Sequence, residues 1–208
     1  MEHNVQACAF VDNELVVNLV GSVDTSSKQH PTSDCCYSHN SIQNIFSSTK
    51  AISSIVVAML VGRNHLDYSS RIVDIWPEVG QENKHDITLE DLLKHESGLE
   101  KFAFTLSTKE LHRESLKDLN CSTVSRQIAS SVSTRRPVLT NSPHLDSSVE
   151  RRYHFLTRDI ILNEIVMRAD PHGRTIGEFI RDEIALPLVI LWLGWYPKCL
   201  IYLIEKFH

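Results

Sequence analysis

The chain opens on two short β-favouring runs, Val5 to Val11 and Glu14 to Val20, separated by Asp12-Asn13. Asn and Asp tolerate the positive φ of a tight turn, so the pattern predicts a hairpin. Gly21 to Asn40 is dominated by Ser, Thr, Asp and His and reads as loop. From Ser47 the period changes. Ile52, Ile55, Val56, Met59 and Leu60 fall at i, i+3, i+4, i+7 and i+8, one face of an amphipathic helix. So continuous an apolar face predicts burial against a sheet, and Gly62 with Asn64 suits the helix end. Asp86-Ile87-Thr88 opens a second helix. Thr88 and Asp91 have capping-box spacing, Leu89, Leu92 and Leu93 supply its apolar side, and Gly98 follows its end.

The pattern weakens between Phe104 and Val149. Ser107 to Lys117 admits a helix, while the composition of the 120s to 140s, with Pro137 and Pro143, predicts a surface excursion. Regular structure resumes at Thr157. Ile161, Leu162, Ile165 and Val166 form a helical stripe, and Thr175 with Glu178 caps another helix ending near Pro187. Helices after one hairpin predict an α/β or α+β layered fold, and no internal repeat is present. Leu186 to Ile204 differs in character, with Trp192, Trp195, Tyr196 and many Leu and Ile. A membrane span needs about 20 apolar residues, and Pro197 and Lys198 interrupt this one. The stretch reads better as the atypical tail, residues 188–208, of a fragment whose proper continuation has been replaced; membrane association or self-association through it is the alternative.

Composition narrows the classes. A hydrophobic fraction of 42% and a charged fraction of 23% over 208 residues are those of a soluble globular domain, or part of one. A formal charge of −5, with eleven scattered histidines, argues against nucleic acid, because phosphate binding needs a basic surface. The cysteines, Cys8, Cys35, Cys36, Cys121 and Cys199, are odd in number and contain no C-x-x-C. Neither a disulfide framework nor a zinc site is expected, which favours a reducing compartment. Met-Glu-His-Asn runs into a strand without a charged-then-apolar leader, so no secretory signal is expected and a cytoplasmic or mitochondrial location is favoured.

The string Phe46-Ser47-Ser48-Thr49-Lys50-Ala51 carries the candidate chemistry. A serine three residues before a lysine sits one helical turn from it, so the two side chains share a face. At a buried helix start the lysine is partly desolvated, which favours its neutral form, and a neutral amine takes a hydroxyl proton. The spacing alone is common, and its plain reading is a helix cap beside a solvated charge.

Context changes that reading. Asn44 to Gly62 (NIFSSTKAISSIVVAMLVG) resembles the nucleophile helix of the β-lactamase-related family, which includes class C β-lactamases and family VIII carboxylesterases. Asn64 to Pro77 (NHLDYSSRIVDIWP) resembles the loop that follows it. Ile87 to Leu99 (ITLEDLLKHESGL) resembles the family's T-x-x-x-LL-x-H-x-SGL segment, and Arg152 to Glu164 (RYHFLTRDIILNE) resembles the block carrying its catalytic tyrosine. The resemblance implies a partial β-lactamase/transpeptidase-like domain over residues 1–187, with a helical region and part of an antiparallel sheet. It also implies a serine hydrolase for small esters or amides that needs no metal or cofactor. Ser47 would be acylated, Lys50 would share or remove its proton, and Tyr153 would act with Lys50 as base and then protonate the leaving group. A phenol normally titrates near pH ~10, so a neighbouring lysine must favour its charged form. His154 is expected to line the substrate pocket, and His95 to brace the adjacent turn.

Two departures from the family bear on function. Class C β-lactamases carry Tyr-x-Asn where this chain has Tyr153-His154-Phe155, which points to esterase-like or peptidase-like substrates over antibiotics. The family's third element, a K-T-G-like triplet on a strand, has no counterpart after Tyr153. That strand supplies one oxyanion donor, so the 208-residue chain is expected to be impaired, and a non-catalytic remnant is the competing reading.

Overall fold

The computed structural model describes residues 4–23, 37, 41, 45–102, 104–107, 109–110, 113–117, 122–135 and 149–188. They belong to two compact units, Met1–Gln43 and Asn44–His208. The first holds an antiparallel hairpin of β1 (Asn4–Val11) and β2 (Glu14–Ser22). Asp12 and Asn13 take φ of 50° and 66°, the left-handed pair that matches a two-residue turn to strand twist. The register runs from Val11 opposite Glu14 to Asn4 opposite Ser22 and skips Val16 beside Ala9 and Phe10, a bulge.

The second unit is helical. A 3₁₀ turn, Phe46–Ser48, leads into α1 (Thr49–Gly62), followed by α2 (Ile72–Ile75) and a second 3₁₀ turn, Pro77–Gly80. Then come α3 (Leu89–Leu93), α4 (Arg113–Lys117), α5 (Thr123–Ser130), α6 (Thr157–Ala169) and α7 (Ile176–Ile180), the last continuing into a wider turn over Arg181–Ala185. Helix α6 sits at the centre: ten of its thirteen residues are buried, so it is enclosed on more than the one predicted face. Its Ile161, Leu162, Ile165 and Val166 join Val56, Leu60, Trp76, Leu92 and Phe179 in one core.

Both predicted capping boxes form. Thr88 Oγ1 accepts the Asp91 N–H at 3.1 Å while Asp91 accepts the Thr88 N–H at 2.9 Å. Thr175 and Glu178 repeat the exchange at 3.2 and 3.0 Å. Asn64, at φ 59°, follows the end of α1 as expected.

Three expectations are corrected. The buried side of α1 is Thr49, Lys50, Ser53, Val56, Val57 and Leu60, rotated from the apolar stripe so that Ile55 is 51% exposed. The rotation follows from partners on α6 that satisfy Lys50 and Ser53, and among the described residues this face packs on α6 and α7 rather than on a sheet. Secondly, Thr123–Ser130 is a helix, not an excursion: Ser122 caps it by accepting the Ser125 N–H at 3.2 Å, and Val124 and Ile128 are fully buried. Thirdly, the helix admitted over Ser107 to Lys117 is confined to Arg113–Lys117 among the described residues. Ser107 and Glu110 exchange cap-like bonds at 2.7 and 3.3 Å outside it.

Pro137, Pro143 and the apolar tail from residue 189 lie outside the described residues. Among the described residues no helix is long and apolar enough to cross a membrane.

Candidate active site

Ser47 occupies the 3₁₀ turn at the head of α1. The turn is closed by the Ser48 N–H on the Ile45 carbonyl at 3.0 Å and by Thr49 Oγ1, which donates to the Phe46 carbonyl at 2.6 Å. Phe46 has φ 44°, a left-handed conformation that is strained for a bulky side chain, immediately before Ser47. Lys50, three residues on, enters the first turn of α1 and is buried.

The segment carrying Tyr153 is docked by two histidines. The Arg152 N–H donates to the His95 carbonyl at 2.9 Å, and the His154 N–H donates to His95 Nδ1 at 3.0 Å. His154 Nε2 accepts the Leu99 N–H at 3.2 Å and lies 2.7 Å from Ser97 Oγ. Because Nε2 accepts, the proton of a neutral ring sits on Nδ1, which donates to the Arg152 carbonyl at 2.6 Å. Burial pushes the His154 imidazole below its ordinary range, consistent with that neutral form. His95 is lowered to about 4, chiefly by burial, with the nearby positive charges of Arg158 and Lys50 adding to it. Its ring lies 4.9 Å from that of Tyr153.

These braces bring together residues 106 positions apart. Tyr153 Oη donates to Ser47 Oγ at 2.8 Å. The tyrosine is 53% exposed, so the pair is open to an incoming molecule. Lys50 Nζ lies 5.3 Å from the Tyr153 ring centroid and donates to the Phe155 carbonyl at 2.7 Å. It also forms an ion pair with Asp159 at 3.3 Å. The expected desolvated lysine is thus a lysine with a counterion, and among the described residues none of its hydrogen bonds reaches Ser47 or the Tyr153 hydroxyl.

His154, expected to line a substrate pocket, is fully buried with both ring nitrogens engaged by protein groups. Its side chain braces the turn, the role expected of His95, and both histidines fill it. Sequence reasoning missed the other half of the site. Asp159 Oδ1 accepts from Ser53 Oγ at 2.8 Å and from Arg158 Nη1 at 2.7 Å. Arg158 also donates to Ser53 Oγ at 3.1 Å and to Ser54 Oγ at 2.5 Å. The signal for it in the sequence is the polar Lys50 and Ser53 on one face of α1, opposite an Arg-Asp pair opening α6.

A family model described as Beta-lactamase matches residues 1–198. Esterase/beta-lactamase LipL of Mycobacterium tuberculosis (strain ATCC 25618 / H37Rv) is 32% identical over 63 residues, 30% of this chain and 15% of that protein. A penicillin-binding protein homolog from Caulobacter crescentus superposes with a TM-score of 0.69 at 25% identity, over 93% of this chain and 46% of its own. EstA from Arthrobacter nitroguajacolicus Rue61a gives 0.62 at 23% identity, over 88% and 41%, and a family VIII carboxylesterase gives 0.64 at 22%, over 89% and 44%. The chain spans less than half the length of each of these proteins. The fold is a partial β-lactamase/transpeptidase-like one, and with a family match over nearly all its residues the chain belongs to the beta-lactamase family.

Proposed function

We propose that the protein is a serine hydrolase that forms an acyl-enzyme on Ser47 with small esters or peptide-like amides. The observation that carries this reading is the 2.8 Å bond between Tyr153 Oη and Ser47 Oγ, beside the Lys50 ammonium and open to solvent. Either hydroxyl of such a pair can donate, so the bond at rest also serves as the path for the serine proton. The reacting form is the Tyr153 phenolate, its own proton first released to water; its oxygen accepts the serine proton as Ser47 Oγ attacks the carbonyl carbon. It then returns the proton to the leaving alcohol or amine as the carbonyl–heteroatom bond breaks. Water attacks the acyl-serine by the reverse relay. The positive charges of Lys50 and Arg158 favour the phenolate before attack and again once its proton has passed to the leaving group.

The substrate class rests on Tyr153-His154-Phe155, where an amide-holding asparagine is lacking, and on relatives named as esterases. The test is labelling with a fluorophosphonate probe beside Ser47→Ala, together with p-nitrophenyl ester turnover. Labelling and turnover that vanish in Ser47→Ala are expected. An unlabelled chain, folded by circular dichroism, overturns the proposal in favour of a non-catalytic remnant.

A further inference from the structure

Lys50 is held by groups other than the serine. Its two described polar partners, the Phe155 carbonyl at 2.7 Å and the Asp159 carboxylate at 3.3 Å, both belong to the segment that enters α6. The ion pair is shielded, with side-chain exposures of 11% and 10%, so solvent weakens it little. Asp159 is itself bonded on its other oxygen by Ser53 and Arg158, and Arg158, 3% exposed, is bonded in turn to Ser53 and Ser54. The carboxylate is the one charged group among these anchors; Phe155 contributes its backbone oxygen and its ring, 6.0 Å from Nζ.

We infer that Asp159 is a positioning residue that restrains Lys50 in a resting place, so that the lysine must leave or share this carboxylate before it serves the Ser47–Tyr153 pair. The inference rests on the acyl-transfer reading of Ser47. It makes Asp159 a brake on acylation rather than a part of the proton relay, because the carboxylate touches neither reacting oxygen. Asp159→Asn keeps an oxygen for Ser53 and Arg158 and removes the attraction for Lys50.

The experiment measures fluorophosphonate labelling of the full chain over a range of probe concentrations, for the parent protein, Asp159→Asn and Ser47→Ala. The maximal labelling rate of Asp159→Asn is expected to rise about fivefold, the scale of one ion pair of modest strength, with an unchanged half-saturating concentration. An unchanged or slower rate in folded Asp159→Asn overturns the inference. If the asparagine variant does not fold, Asp159→Thr keeps a hydroxyl oxygen near Ser53 and Arg158 without a charge to attract Lys50, and the same rise is required of it. A second readout does not depend on catalysis: the ¹⁵N-ammonium resonance of Lys50, assigned by its loss in Lys50→Arg. It is expected to be protected in the parent and broadened by exchange in Asp159→Asn, and a resonance left unchanged overturns the restraint. A parent that is never labelled, while the resonance responds to Asp159→Asn, overturns the hydrolase reading and supports the restraint itself.

Discussion

Tyr153 presents two chemically separable parts: an oxygen on Ser47 and a ring against His95. Tyr153→Phe keeps the ring and deletes the oxygen. Labelling of Ser47 in this variant is expected to fall by roughly 10²–10⁴, the usual worth of a general acid–base group, with little change in melting temperature. Loss of thermal stability without loss of labelling would assign the tyrosine a packing role instead. His95 sets a pH dependence whose sign follows from its lowered value of about 4 against an ordinary 6.5. Between those values the unfolded chain binds the proton and the folded one does not, so stability falls as pH drops from about 6.5 towards 4. His95→Asn removes the titration and suits the φ of 65° at that position. Its melting temperature is expected to decline less over that window in thermal scans; an equally steep decline would place the acid sensitivity elsewhere, His154 being the next group.

Among the elements, those announced by side-chain hydrogen bonding are legible in the sequence. Thr88 and Asp91 at capping-box spacing make the reciprocal bonds that the spacing implies, and Thr88→Ala is expected to cost about 1 kcal/mol in denaturant unfolding. The turn after α3 is a stricter constraint. Gly98 sits at φ 69°, and a Cβ there would overlap the backbone nitrogen of Arg135. Gly98→Ala is therefore expected to destabilise by about 2–3 kcal/mol in the same measurement and to loosen the Ser97–His154 contact next to it. A loss below about 0.5 kcal/mol, the scale of an ordinary surface substitution, would mean that the Arg135 segment moves aside freely. Helix α5 is hidden because its serines give it the composition of a loop. Ser122 is in fact its cap, and Val124 and Ile128 are its buried pair, one helical turn apart.

At the scale of whole units, the hairpin of the first one carries exposed apolar side chains. Phe10, Leu15, Val16 and Leu19 are 63%, 49%, 55% and 64% exposed, and a two-stranded sheet is marginal by itself. Exposed apolar side chains on a short sheet invite pairing between chains. Sedimentation velocity of the 208-residue chain is expected to show concentration-dependent association that Leu19→Lys reduces; a monomer at all concentrations would count against it. The hairpin, its Asp12-Asn13 turn, both capping boxes and the core stripe of α6 are all present in the sequence, because each depends on residues within a few positions of one another. Ser47 and Lys50 are legible for the same reason, one helical turn apart. Only the tertiary structure decided which side of α1 is buried, that Tyr153 meets Ser47 across 106 positions, that His154 is a brace, and that Asp159 holds Lys50. Those outcomes depend on how the head of α6 docks against α1, and hydrophobic periodicity carries no information about polar side chains that find their partners in another helix.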